Sequence, residues 1–183
     1  MLELGTPAPY FALSDLEGRT VCIDDFWQSK LLLVCFLCPH CPFVRHVRRG
    51  VAQLARDYAD RGLGVVGIMP NDVEKYPQDG PDGMRREAEE AGYPFPYLLD
   101  ETQAIARSYR AACTPDFFLF DQGRVLIYRG QLDSSRPAND IPVTGNDLRA
   151  AIDAALLGEP VSVEQVPSIG CGIKWRPGNE PEG

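Results

Sequence analysis

The four residues Cys38-Pro39-His40-Cys41 carry the clearest chemistry in this 183-residue sequence. Two cysteines separated by two residues can close a disulfide, and a mixed disulfide on one can be resolved by the other. Only a thiolate attacks a disulfide bond. An apolar segment precedes the motif and a helical pattern follows it, so both sulfurs should lie at a helix N-terminus, which stabilises negative charge. We therefore predict a redox-active dithiol, with Cys38 exposed as the nucleophile and Cys41 more buried as the resolving thiol.

Three further residues are expected at the dithiol. His40 lies between the two cysteines, where its ring adds positive charge or a hydrogen bond that stabilises a thiolate. Thr114 and Pro115 directly precede an apolar strand pattern. A cis X–Pro bond there would bring backbone groups against the dithiol and present an edge to an extended substrate. The residues alone leave the cis and trans forms of this bond open.

The sequence holds four other cysteines. Cys113, two residues before Pro115, should approach the dithiol and is either a third redox thiol or a small apolar residue. Cys171 stands between two glycines in the tail and is interpreted either as a resolving or regulatory thiol or as an inert one. Cys22 and Cys35 occur among apolar residues and are expected to pack in the core.

The cysteine spacing also permits a different class of site. Cys35, Cys38 and Cys41 are three residues apart, which superficially matches an iron–sulfur ligand run. Cys113 or His40 would then supply a further ligand. Two observations disfavour this alternative, because the fourth cysteine of the run is missing and strand geometry turns Cys35 toward apolar neighbours. The redox interpretation predicts no bound cofactor and no metal.

Hydrophobic patterns predict the elements that position the dithiol. A continuous apolar run at 31–37 predicts a central strand covered on both faces. Apolar residues at three- and four-residue steps from Val44 to Tyr58 predict an amphipathic helix. The remaining predicted elements are a hairpin at 10–13 and 20–23, a strand at 63–69, a loop at 71–83, a helix at 84–91, a strand at 97–100, a helix at 102–111, a hairpin at 116–120 and 125–128, and a helix at 146–157.

This order of elements predicts an α/β fold with a central mixed sheet, helices on both of its faces and an N-terminal β-hairpin. Residues 1–159 form the predicted domain. Residues 160–183 form a predicted irregular C-terminal tail that packs on the domain. A chain of this length buries a core without needing disulfides as staples.

Charge and hydropathy narrow the classes of partner. A net charge of −8 argues against a nucleic acid or an anionic membrane surface as a partner. No apolar run approaches the ~18 residues of a membrane span. Residues 1–5 lack the features of a signal peptide, and a cytoplasmic location is expected. The expected partners are a disulfide-containing protein or small molecule and a reducing partner, while the oligomeric state is left open.

These motifs together resemble a known superfamily. Cys38-Pro39-His40-Cys41 after a buried strand, with Thr114-Pro115 before another strand, resembles the thioredoxin superfamily. Cys41-Pro42-Phe43-Val44, the segment 129–137 and the segment 167–171 are more closely similar to the peroxiredoxin-like redoxins related to alkyl hydroperoxide reductase and thiol-specific antioxidant. The resemblance implies a thioredoxin-like fold, a cis Pro115, and Cys38 and Cys41 as the redox pair.

The resemblance leaves several functions open. The first is a thiol–disulfide oxidoreductase acting through Cys38 and Cys41. The second is a thiol peroxidase with Cys41 as its peroxidatic cysteine, in which Cys38 stands where typical peroxiredoxins carry Thr or Ser. A redox-inactive binding module that kept the fold is a third. The apolar strand lacks the buried carboxylate usual in thioredoxins, so the proton acceptor is water, His40 or an acid from elsewhere in the chain.

Overall fold

The computed structural model describes residues 1–181, so the last two residues of the predicted tail, 182 and 183, lie outside the described part. The strands are β1 (Ala12–Ser14), β2 (Thr20–Cys22), β3 (Leu31–Phe36), β4 (Leu63–Met69), β5 (Tyr97–Leu99), β6 (Cys113–Thr114), β7 (Asp116–Phe120), β8 (Leu126–Gly130) and β9 (Cys171–Gly172). The helices are α1 (Pro42–Ala59), α2 (Pro81–Ala91), α3 (Ala104–Ser108) and α4 (Asn146–Leu156), with 3-10 turns at Ile23–Phe26 and Pro77–Asp79.

The apolar segment before the dithiol forms β3, which lies inside a seven-stranded sheet of order β2-β1-β5-β4-β3-β7-β8. β3 pairs in parallel with β4 and antiparallel with β7. Every residue of β3 is buried. Leu31, Leu33 and Cys35 belong to one hydrophobic cluster, and Leu32, Val34 and Phe36 belong to a second. The predicted central strand covered on both faces is therefore confirmed.

Helices cover both faces of this sheet. α1 packs a stripe of apolar side chains into the first cluster, which also contains Met84 of α2 and Ile152 of α4. α3 contributes Ala106 to the second cluster, next to Tyr109. The α/β fold, with its mixed sheet and the antiparallel hairpin of β1 and β2, is confirmed. None of the helices within residues 1–181 is long and apolar enough to cross a membrane.

Some predicted boundaries differ from the observed ones. The predicted loop at 71–83 contains a 3-10 turn and the first turn of α2, because Pro81 at the helix start needs no hydrogen-bond partner for its nitrogen. The predicted helix at 102–111 is shortened to α3, since Gln103 and Arg110 adopt positive φ angles of 63° and 50° at its two ends. β6 and β9 were not predicted, because two residues carry no periodicity.

The tail runs along the edge of the domain next to the dithiol. β9 pairs antiparallel with β6, and Cys171 lies opposite Thr114. The side chain of Ile173 is buried in the second hydrophobic cluster. At Gly170 a side chain would not fit, since a Cβ atom there would lie 2.1 Å from the carbonyl oxygen of Thr114. The tail segment around Cys171 is thus held close to the backbone that precedes Pro115.

Candidate active site

The structure brings the predicted dithiol and the Thr114–Pro115 turn together. Cys41 is the N-cap residue of α1, and the Thr114–Pro115 bond is cis, as the resemblance implies. Cys38 Sγ lies 3.1 Å from the hydroxyl oxygen of Thr114, and Cys41 Sγ lies 3.1 Å from the carbonyl oxygen of the same residue. Thr114 therefore contacts both sulfurs.

The expected exposure of Cys38 is wrong. Both Cys38 and Cys41 are 0% exposed, so neither is the more accessible thiol. Thr114 covers the Cys38 sulfur on one side. On another side, a ring nitrogen of His40 and a carboxylate oxygen of Asp79 lie within 4.8 Å of that sulfur and of each other. Of these covering groups, Thr114 and Asp79 come from segments far from the motif in the chain.

The pKa values of the Cys38 and Cys41 thiols are shifted in opposite directions. A hydrogen bond from Cys38 lowers the pKa of Cys41 to about 4, against the effect of burial, and the thiol of Cys171 and the backbone of Val44 act in the same direction. The hydrogen bond with Cys41, burial and the charge of Asp79 raise the pKa of Cys38. The two opposite shifts favour a thiolate at Cys41 over one at Cys38, and the N-terminus of α1 favours the same distribution.

Asp79 is an acid from elsewhere in the chain, one of the three proton acceptors that the sequence left open. It is completely buried, and one of its oxygens accepts a hydrogen bond from the backbone N–H of His40 at 3.1 Å. Its other oxygen lies 2.5 Å from His40 Nδ1 and accepts a hydrogen bond from the Asn71 side chain at 2.8 Å. The His40 ring also stacks on Tyr76. His40 is thus fixed beside Cys38 by a buried carboxylate.

Cys38, His40 and Asp79 also offer a sulfur, a nitrogen and an oxygen as metal donors. Within residues 1–181 they form the sole group of three His, Cys, Asp or Glu side chains whose donor atoms lie close enough together to hold one metal ion. Both oxygens of Asp79 already accept hydrogen bonds from His40 or Asn71, which suits a fixed hydrogen-bonded pair better than a metal ligand. Within residues 1–181 the alternative ligand set of Cys35, Cys38 and Cys41 is not close enough together to hold a metal, and Cys35 is completely buried, which raises its pKa.

The tail adds a third sulfur to the dithiol. Cys171 Sγ lies 2.9 Å from Cys41 Sγ. Cys171 is partly exposed, whereas Cys38 and Cys41 are buried. Burial and the hydrogen bond with Cys41 raise the pKa of Cys171 to about 11, so it is a thiol at neutral pH in the reduced protein. Cys41 is consequently the central sulfur of a three-thiol cluster formed by Cys38, Cys41 and Cys171.

The remaining cysteines do not join the three-thiol cluster. Cys113 Sγ lies 3.6 Å from the carbonyl oxygen of Pro115 and 3.9 Å from that of Ser168. Burial raises the pKa of Cys113 to about 12, so the structure favours a packing role for it. Cys22 lies on β2 at the sheet edge and is partly exposed, so its expected core position is wrong.

A polar cleft of about 380 Å³ opens beside Pro39 and His40. Arg45 lines it and donates a hydrogen bond to the carbonyl oxygen of Pro39 at 2.9 Å. Glu87 closes the inner side of the cleft, and burial raises the pKa of this carboxyl to about 7. Tyr97 donates a hydrogen bond to Glu87 at 2.6 Å. The cleft leads from solvent to His40, which is next to the three-thiol cluster.

Comparison with known proteins agrees with this geometry. The model of the AhpC/TSA family matches residues 4–129. The chain belongs to the AhpC/TSA family. This assignment confirms the resemblance to the redoxin group of the thioredoxin superfamily. The match includes Cys38, Cys41 and Thr114. It ends at residue 129, so Cys171 lies outside the matched part of the chain.

Individual relatives confirm the fold. An uncharacterized conserved protein from Geobacillus kaustophilus is 53% identical, with a TM-score of 0.94 over 97% of this chain and 94% of that one. The thiol-disulfide oxidoreductase ResA from Bacillus thuringiensis (strain Al Hakam) is 22% identical over 126 residues, 68% of each chain. The thioredoxin domain of a thiol-disulfide oxidoreductase from Bacteroides vulgatus is 21% identical, with a TM-score of 0.63 over 81% of this AhpC/TSA-family chain and 97% of its own. The thioredoxin-like fold is confirmed.

Proposed function

We propose that this AhpC/TSA-family protein is a thiol–disulfide oxidoreductase in which Cys38 and Cys41 alternate between a dithiol and a disulfide. The observation that carries the proposal is the placement of the two cysteines at the N-terminus of α1, against Thr114 of the cis Thr114–Pro115 bond, with a pKa of about 4 at Cys41. A sulfur with that pKa is a thiolate at neutral pH, which is the species that attacks disulfides. An oxidoreductase enzyme, as predicted, also agrees with the names of the curated relatives.

The two cysteines are assigned roles opposite to those expected from the sequence. The Cys41 thiolate attacks one sulfur of a substrate disulfide, which forms a mixed disulfide on Cys41 and releases the other substrate sulfur as a thiolate. Cys38 then loses its proton and attacks the Cys41 sulfur. The second substrate thiolate leaves and the Cys38–Cys41 disulfide forms. Two electrons have then passed from the protein dithiol to the substrate.

The second step needs a base beside Cys38, because its raised pKa keeps it protonated. The His40–Asp79 pair lies within 4.8 Å of the Cys38 sulfur and is assigned this role. Asp79 holds the His40 ring in place through Oδ2, while Asn71 holds the carboxylate. Proton transfer from Cys38 to this pair yields the thiolate that resolves the mixed disulfide.

Single-cysteine variants test both the activity and the roles. With dithiothreitol as the electron source, the wild type should catalyse insulin reduction. Glutathione disulfide should leave a stable glutathione adduct on Cys41 in the Cys38→Ser, Cys171→Ser double variant, identified by peptide mass spectrometry, and none on Cys38 in the Cys41→Ser, Cys171→Ser double variant. An adduct on Cys38 alone would reverse the role assignment. A wild type that does not accelerate insulin reduction would refute the proposed function.

A thiol peroxidase is the second candidate, because the lowered pKa of Cys41 also favours attack on a hydroperoxide. The Cys41 thiolate would take the terminal oxygen, forming a sulfenic acid and releasing an alcohol or water. Condensation with the Cys38 thiol would then release water and close the disulfide. Dimedone should trap the sulfenic acid on Cys41 in the Cys38→Ser, Cys171→Ser double variant. Absence of both dimedone labelling and peroxide consumption would remove this candidate.

A further inference from the structure

We propose that Cys171 is a third redox thiol, to which the disulfide moves by exchange, so that a dithiol reductant meets a Cys41–Cys171 disulfide at the protein surface. The proposal rests on the proposed function, because that function forms the Cys38–Cys41 disulfide from which the exchange starts. The proposal adds a route by which the disulfide moves toward the protein surface, and it identifies Cys171 as the sulfur that the reducing partner attacks.

The position of Cys171 carries this inference. Its sulfur lies 2.9 Å from Cys41 Sγ, closer than two sulfurs in ordinary non-bonded contact, so a bond between them needs little movement. A hydrogen bond with Cys38 also acts on Cys41 and lowers its pKa. Because the same Cys41 sulfur is adjacent to both other thiols, a disulfide can move from Cys38 to Cys171 without leaving the cluster.

The backbone of the tail holds Cys171 in place on both sides. Cys171 pairs with Thr114 in the β6–β9 ladder, and the missing side chain of Gly170 lets the tail approach the Thr114 carbonyl. On the far side, Ile173 is buried, and the Lys174 backbone N–H donates to the Asn71 side chain at 2.9 Å. The sulfur contact is therefore part of the docked tail and not a chance approach of a free chain end.

The exchange balances within the protein. Cys171 loses its proton and its thiolate attacks the Cys41 sulfur of the Cys38–Cys41 disulfide. That bond breaks, the Cys41–Cys171 bond forms, and Cys38 leaves as a thiolate that takes up a proton. One disulfide replaces another, so no oxidant or reductant is consumed. A dithiol reductant then attacks the Cys171 sulfur, releases Cys41 as a thiolate, and closes its own disulfide as Cys171 leaves.

The redox state of Cys41 controls when Cys171 can react. In the reduced protein, burial, the hydrogen bond with Cys41 and the charge of the Cys41 thiolate together raise the pKa of Cys171 to about 11. Formation of the Cys38–Cys41 disulfide removes that charge, while the neighbouring Lys174 still favours the Cys171 thiolate. Cys171 thus ionises more readily once the dithiol is oxidised.

Exposure identifies the kind of partner. Cys38 and Cys41 are fully buried, so a folded protein, whether substrate or reductant, reaches their sulfurs only when the tail is displaced. Cys171 is partly exposed and presents its sulfur without any rearrangement of the tail. The partner that fits is a small or protein dithiol whose attacking thiolate approaches from solvent.

Disulfide mapping tests the proposal on the full chain. Wild-type protein oxidised with glutathione disulfide and alkylated in acid should yield a peptide linking Cys41 to Cys171, besides the Cys38–Cys41 form. Reduction of oxidised Cys171→Ser by reduced thioredoxin should be about tenfold slower than that of the wild type. Cys22→Ser, which changes a remote cysteine, should react at the wild-type rate.

A second variant leaves the tail intact and separates the two proposals. Cys38→Ser should form the Cys41–Cys171 disulfide on oxidation, even if Cys171→Ser fails to fold. Absence of the Cys41–Cys171 peptide from both wild type and Cys38→Ser, or equal reduction rates for wild type and Cys171→Ser, would overturn this inference. If insulin reduction persists in that case, the proposed function stands and the inference alone fails. A Cys41–Cys171 peptide without insulin reduction would refute the function instead.

Discussion

The loop between β3 and α1 and the C-terminal tail each bring sulfur to the same cluster, but different contacts hold them there. The loop is continuous with the central strand and with the N-terminus of α1, and its two cysteines belong to the main hydrophobic cluster. The tail is attached through the two-residue pairing of β9 with β6, the buried side chain of Ile173 and hydrogen bonds to residues of β8, to Asn71 and Asp72 and to Gln103.

This difference separates a rigid part of the site from a removable one. Displacing the loop disrupts the core between the sheet and α1, which costs a large share of a domain's total stability. Displacing the tail breaks these hydrogen bonds and exposes Ile173 but leaves the seven-stranded sheet intact, so the tail should open at a lower free energy than the core. The dithiol is therefore expected to be indispensable, whereas the tail modulates access and exchange.

The largest expected effect tests whether the dithiol of the loop is indispensable for activity. Cys41→Ser removes the central sulfur and the thiolate, so insulin reduction should fall by more than about a thousandfold. Cys171→Ser removes the tail sulfur alone and should keep most of that activity when dithiothreitol, a small reductant, supplies the electrons. Steady-state turnover of both variants checks this difference. Equal losses in the two variants would show that the tail thiol is as essential as the loop thiol.

Asp79→Asn should have the next largest effect, because it removes the buried base beside Cys38. We expect resolution of the mixed disulfide to slow by about a hundredfold near neutral pH. The loss should shrink as the pH rises, since hydroxide can then take the Cys38 proton. Stopped-flow measurement of the resolving step across pH provides the test. Asp82→Asn, at an exposed carboxylate paired with Arg85, is the matched control. A pH-independent loss would indicate a purely structural role for Asp79.

The sequence patterns predicted well the part of the site that the β3–α1 loop forms, and poorly the part that the tail forms. β3, β4 and α1 lie within two residues of their predicted bounds, because long apolar runs and helical periodicity report burial directly. The same patterns, together with the family resemblance, placed four features at the site: Cys38, His40, Cys41 and the Thr114–Pro115 turn. Their backbone positions follow from elements that local sequence determines.

The features of the site that the sequence did not predict depend on contacts between distant segments of the chain. Asp79 lies in a Pro- and Gly-rich loop in which no spacing links it to His40. The two-residue strand that places Cys171 against Cys41, 130 residues away, has no periodic signal. The exposure of Cys38 was wrong for the same reason, because Thr114 and Asp79 cover it only after the chain folds.

A glycine pair in the tail sharpens the comparison without changing any thiol. A Cβ at Gly170 would lie 2.1 Å from the Thr114 carbonyl oxygen, whereas a Cβ at Gly172 would meet nothing within 4 Å. Gly170→Ala should therefore lift the tail and lower the yield of the Cys41–Cys171 disulfide by about tenfold, a cost typical of overpacking. Gly172→Ala should leave the yield unchanged. Disulfide mapping after oxidation measures both, and equal yields would mean that the tail docks without this close approach.

The loop thiol and the tail thiol should also differ in the pH dependence of their reactivity in the reduced protein. With a pKa of about 4, Cys41 is already ionised throughout the range from about pH 5 to about pH 8, so its rate of alkylation by iodoacetamide should stay nearly constant. With a pKa of about 11, Cys171 gains thiolate as the pH rises, and its rate should increase about tenfold per pH unit over the same range.

Quantitative peptide mass spectrometry of the reduced wild type measures both rates in one sample, so the unreactive thiols of the core serve as internal references. If Cys38 rather than Cys41 shows the flat profile, the thiolate lies on the other member of the pair, and the nucleophile is the one expected from the sequence. If Cys171 also shows a flat profile, it is already a thiolate in the reduced protein. Its ionisation would then not depend on oxidation of the dithiol, and the proposed control by the charge of Cys41 would be wrong.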